Sequence, residues 1–105
     1  MTITIPYTIG EMKTWRARLQ NDAGGIVDLT GATVSLRLSA SGGCLIVPGV
    51  IDPNPARGVG FRLSADTLGP GPRSCSGDLW VHWPDGEARA YARVHLIVTE
   101  GCGHA

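Results

Sequence analysis

The sequence predicts an all-β fold, a sandwich or a barrel, and three observations carry that prediction. Residues 24–43, GGIVDLTGATVSLRLSASGG, set a turn signal on each side of one alternating run. In that run Val34, Leu36 and Leu38 share one parity, while Thr33, Ser35, Arg37 and Ser39 share the other, the pattern of a strand buried on one face. Similar short runs, each closed by Gly, Pro, Asn or Asp, recur at intervals of roughly 8 to 15 residues, which leaves no room for crossover helices. The 15 Gly and 7 Pro of the 105 residues lie between the runs rather than in a repeat, as turn residues do.

The elements follow in order. Residues 2–9 form a strand with Ile3, Ile5, Tyr7 and Ile9 on one face; Pro6, which cannot donate to a ladder, makes it an edge. Residues 13–20 place Trp15, Ala17 and Leu19 inward and Thr14, Arg16 and Arg18 outward, and the loop NDAGG follows. The corner DLTG precedes a strand at 32–39, which SGG ends. A fourth strand at 44–51 stops at DPNP, where two prolines remove donors and restrict the residues before them. Residues 57–63 resume the alternation with Val59, Phe61 and Leu63 inward, and 64–68 make one helical turn with Ser64 as its N-cap. The segment GPGPRS at 69–74 is stiffened by Pro70 and Pro72 and is the kind of loop that carries contacts. Residues 76–83 and 87–99 form a hairpin around Asp85-Gly86, the signature of a type I′ turn with positive φ at both central positions. One domain thus spans 1–99, and 100–105 form a short tail.

Centring that hairpin on Asp85 and Gly86 sets Trp83 opposite Ala88, Val81 opposite Ala90 and Leu79 opposite Ala92 on a packing face. The other face then carries Trp80 beside Tyr91, His82 beside Arg89 and Asp78 beside Arg93. Aromatic and Arg side chains are enriched where binding energy concentrates. The candidate partner-binding residues are therefore Trp80, Tyr91, Arg89 and Arg93, with Pro70 and Pro72 as a second contact. Two other arrangements are open: the loop at 69–75 covers Trp80, or a register one residue different exchanges the faces.

Nine basic and nine acidic residues cancel, so no overall positive field gathers phosphates or anionic lipid, and neither nucleic acid nor a membrane is an expected partner. The N-terminus lacks the basic and apolar regions of a secretion signal, and three cysteines, Cys44, Cys75 and Cys102, suit reduced thiols in a cytoplasm, although a single pair stays open. No enzymatic constellation stands out: Ser74, Cys75 and His82 are near in sequence, but His82 sits within a strand. His95 reads as a surface histidine sharing the parity of Arg93 and Tyr91. No cofactor or metal is expected, since Cys102 and His104 offer two ligands where a structural zinc needs four, and Gly58-Val59-Gly60 lacks the third glycine and the helix of a dinucleotide site. Arg16, Arg18 and Arg37 share one sheet face, either as solvated residues that discourage edge pairing or as a local basic patch.

A series of segments adds a resemblance: Gly10; residues 15–20; NDAGG; VDLTGATV at 27–34; GVGF at 58–61 with Leu63-Ser64; GDLWV at 77–81; Asp85-Gly86; and a last strand ending Leu96-Ile97-Val98. In order and spacing this resembles the small immunoglobulin-like domains of tailed-bacteriophage virion proteins, such as the N-terminal domain of baseplate upper proteins and related minor tail proteins. The resemblance implies an immunoglobulin-like antiparallel β-sandwich of about seven to eight strands. It implies a virion structural component, made in the host cytoplasm, that binds other virion proteins as an adaptor of the tail, baseplate or fibre attachment. Many copies would sit in a symmetric assembly. Head decoration or a neck or collar position is the alternative within such a particle. A carbohydrate-binding module using Trp80, Trp83 or Tyr91 is the alternative outside it. The chain departs from the pattern by inserting 69–74 and Cys75 before the GDLWV strand. Such domains are also often followed by a receptor-binding part, and its absence from these 105 residues favours an adaptor over a complete fibre.

Overall fold

Burial alternates along the long strands of the protein, and each buried parity faces one interior. A computed structural model describes residues 2–20, 23–40, 43–54, 57–68 and 73–100. Within them run β1 (Thr2–Thr8), β2 (Lys13–Ala17), β3 (Thr33–Ala40), β4 (Gly43–Ile51), β5 (Val59–Leu63), the single turn α1 (Ala65–Leu68), β6 (Cys75–His82) and β7 (Ala88–Thr99). The seven strands form one sheet in the order β1-β7-β6-β3-β4-β5-β2, curled until it nearly closes. The all-β expectation holds.

β4 is the pivot. Its residues 43–48 pair antiparallel with β3, and Gly49, Val50 and Ile51 pair with β5. A five-stranded stretch (β1-β7-β6-β3-β4) and a three-stranded stretch (β4-β5-β2) therefore share one strand, which changes partner after Pro48. Gly49 marks the crossing: a Cβ there would stand 2.6 Å from Val59 Cγ1 and 2.9 Å from Phe61 Cε1, so only glycine lets β4 come this close to β5.

The inward residues are those the alternation assigns. Val34, Leu36 and Leu38 of β3, Val59, Phe61 and Leu63 of β5, Leu79 and Val81 of β6, Val94 and Leu96 of β7 and Ile5 and Tyr7 of β1 are all at most 2% exposed. Each such side chain contributes about 1.5–3 kcal/mol by leaving water. Trp15 lies half-buried against Phe61, ring centroids 5.6 Å apart.

Four local expectations are corrected. β1 pairs with β7 in parallel, not antiparallel. Its direction follows from the short turn into β2, where Glu11 N–H donates to Thr8 O (2.9 Å) and Thr8 N–H to the Glu11 carboxylate (2.6 Å). As expected for an edge, β1 pairs with β7 alone, and Lys13 Nζ covers the Pro6 carbonyl at 2.6 Å. β2 stops at Ala17 rather than residue 20, because Gln20 bridges to Ile26 and Val27 N–H donates to Leu19 O, drawing 18–20 into the corner. Ser64 precedes α1, but its buried hydroxyl caps nothing: the Thr67 hydroxyl accepts from Ser64 N–H (3.2 Å) and donates to Arg62 O (2.6 Å). Arg16 and Arg37 lie on different stretches of the sheet, on β2 and β3, so no basic patch joins them; Arg16 reaches Asp52 at 3.5 Å instead.

Cys44 is exposed and Cys75 half-buried, both free thiols, with burial pushing the Cys75 thiol up. Cys102, most of the tail, and Pro70 and Pro72 lie outside the described residues.

Candidate docking face

The β6–β7 hairpin closes on three residues, not two. Trp83 N–H donates to Glu87 O (2.8 Å), Gly86 N–H to Trp83 O (3.1 Å), and the Asp85 carboxylate accepts from Glu87 N–H (2.8 Å). Gly86 has φ 94°, while no non-glycine residue has positive φ among those described. This is a type I turn followed by a left-handed glycine; Pro84 pre-sets the first central position, and Asp85 is spared a left-handed backbone.

The extra loop residue moves the pairing by one. His82 faces Ala88, Val81 faces Arg89 and Trp80 faces Ala90; a bulge then takes up Tyr91, so that Leu79 faces Ala92 and Asp78 faces Arg93, as the sequence predicts for those two pairs. The expected neighbours Trp80 and Tyr91 are separated. Tyr91 packs on the core beside Trp83, with ring centroids 6.2 Å apart and edge to face. Trp83 is tied down as well, its indole N–H donating to Asp28 O at 3.1 Å. Arg89, opposite buried Val81 rather than His82, pairs with Glu87 at 3.5 Å at the end of the sheet. Arg93 keeps its predicted partner Asp78, at 3.7 Å.

What remains on the outer face centres on Trp80. Pairing registers place Ser35, Arg37, Asp78, Trp80, His82, Ala88, Ala90 and Arg93 there, with Ile46 and Pro48 on β4. Arg37 stands directly opposite Asp78, yet its guanidinium passes over Trp80, 5.9 Å from the ring centroid, and donates from Nη2 to His82 Nε2 at 3.0 Å. A guanidinium cannot accept, so in this contact Nε2 of His82 is the acceptor. The imidazole stacks loosely on the indole at 6.1 Å. Beneath, Ser35 is 6% exposed between Trp80 and Pro48, whereas Ile46 is 57% exposed.

Ile46 and Pro48 were not among the residues the sequence singled out, and Arg37 was grouped with Arg16 and Arg18 rather than with Trp80. Alternation shows that Arg37 points outward, but not that it crosses to β6. The pairing of β3 with both β4 and β6 brings them together, and nothing local encodes that pairing.

Cys75 and His82 stand at opposite ends of β6, roughly 23 Å apart along an extended strand, and the Ser74 hydroxyl accepts from Val98 N–H at 2.9 Å. Among the described residues no three His, Cys, Asp or Glu side chains converge on a point. A cleft of about 560 Å³ lies between the corner at 26–31 and Ile51-Asp52-Pro53. Its carboxylates are engaged: Asp28 accepts from the Thr30 hydroxyl (2.7 Å) and N–H (3.0 Å), which lower its pKa, and Asp52 meets Arg16 and Arg57 at 3.5 and 3.6 Å. No protein-family model, curated protein or solved structure matches the chain.

Proposed function

We propose that this domain is an immunoglobulin-like docking module of a tailed phage or related particle, binding neighbouring virion proteins through the outer face around Trp80. The strand order supports the fold assignment. With β2, β5 and the end of β4 as strands B, E and D, and β3, β6 and β7 as C, F and G, the two groups are those of an immunoglobulin sandwich, with β1 added beside G and the start of β4 beside C. The phage assignment rests on the ordered resemblance of the sequence. Tail, baseplate or fibre attachment is the position it favours.

The observation that carries the docking role is the Arg37–Trp80–His82 cluster with Ile46, Pro48, Ala88 and Ala90 around it. A half-buried indole held by a guanidinium on a face rimmed by apolar side chains has the composition of a binding hot spot. Carbohydrate stacking is less well served, because Trp83 and Tyr91 pack on the core and Arg37 lies over the remaining indole.

The test is incorporation of Trp80→Ala into assembled particles. A hot-spot loss of about 2 kcal/mol or more weakens attachment by roughly 30-fold, so the variant is expected to be missing from purified particles while remaining folded. Full incorporation of the variant refutes the docking role, and intact particles that have lost glycan binding establish the carbohydrate reading.

A further inference from the structure

We infer that the partner is recognised through a carboxylate, which Arg37 takes as an Asp or Glu side chain flanked by apolar residues. This deepens the docking reading above and rests on it. Arg37, Asp78 and Arg93 are the charged side chains that the pairing places on β3, β6 and β7 of this face. Asp78 is spent on Arg93. Arg37, opposite the same Asp78, turns away to the His82 imidazole and the Trp80 indole, and among the described residues it has no carboxylate partner. One positive charge is left over on a chain whose formal net charge is zero.

The surroundings suit that role. His82 and the ring of Trp80 hold the guanidinium in place, so less conformational entropy is lost when it accepts a ligand, and its planar fork matches a carboxylate bidentately. Ile46 and Pro48 lie one and two strands away from Arg37 and Trp80, within reach of apolar side chains alternating with the acid along an extended segment. A lysine-rich or uncharged partner would leave the charge uncompensated and lose this bond.

The experiment uses the full chain, labelled with nitrogen-15, and three capped peptides: acetyl-Glu-Val-Glu-Val-Glu-amide, its Gln counterpart and its Lys counterpart. The Glu peptide is expected to shift the Arg37 side-chain N–H and Trp80 indole N–H signals with at least tenfold tighter binding than the Gln peptide. Arg37→Gln is expected to abolish that difference, and the difference should shrink as salt is added. Equal or better binding of the Gln or Lys peptide overturns the acidic partner while leaving the docking face standing. Silence of both signals with all three peptides at millimolar concentration overturns both.

Discussion

Gly77 shows how a single side chain can be forbidden by backbone. It lies between Leu38 and Val94 in the ladder, and a Cβ there would run into the Arg37 carbonyl. Gly77→Ala must therefore push β6 off β3, and a loss of about 3–5 kcal/mol is expected, read as a lowered urea midpoint. Titration acts at the same scale. Glu11 is held below its ordinary 4.5 first by the Thr8 N–H and then by Lys13, and Asp28 below 3.8 by Thr30. A lowered carboxyl stabilises the fold at pH above its ordinary value, and that contribution disappears as pH falls through the lowered one. Stability is thus expected to decline below about pH 4.5, with a shallower decline in Glu11→Gln, measured by denaturant unfolding across pH.

The hairpin is where element-scale reasoning is most exposed. Asp85-Gly86 announces a turn, but a two-residue and a three-residue loop both contain it, and they differ by one step of register. The bulge at Tyr91 then restores the predicted pairing from Leu79 onward, so the sequence pairs Asp78 with Arg93 correctly, puts Trp80 and His82 on the right face beside the wrong neighbours, and misplaces Arg89 and Tyr91. Bulges leave no reliable local mark, whereas alternation does, which is why the buried residues of β1, β2, β3, β5 and β6 were legible, while the neighbours of Trp80 and the outward turn of Ala88 and Ala90 were not. The two turns also separate experimentally. A type I′ turn would be relieved by Asp85→Gly, but here Asp85 has negative φ and its carboxylate holds Glu87 N–H. Asp85→Gly is therefore expected to lower stability by about 0.5–1 kcal/mol, and Gly86→Ala by about 1–2 kcal/mol, in thermal or urea unfolding.

At the scale of the molecule, stability and the proposed attachment occupy different faces. Phe61→Ala removes the centre of the interior and is expected to cost about 3–5 kcal/mol. Arg37→Ala, on the outer face, is expected to stay within about 0.5 kcal/mol of the parent in the same unfolding assay while losing the partner. The direction of β1 and the exchange of partners by β4 belong to this scale too. Neither is written in any one segment, since both arise from how the sheet curls to cover its own apolar side. The shared strand has a dynamic corollary. Because β4 is hydrogen-bonded first to β3 and then to β5, neither stretch of the sheet can open without fraying the other, and the slowest amide protons of β3 and β5 should exchange with solvent as one cooperative unit.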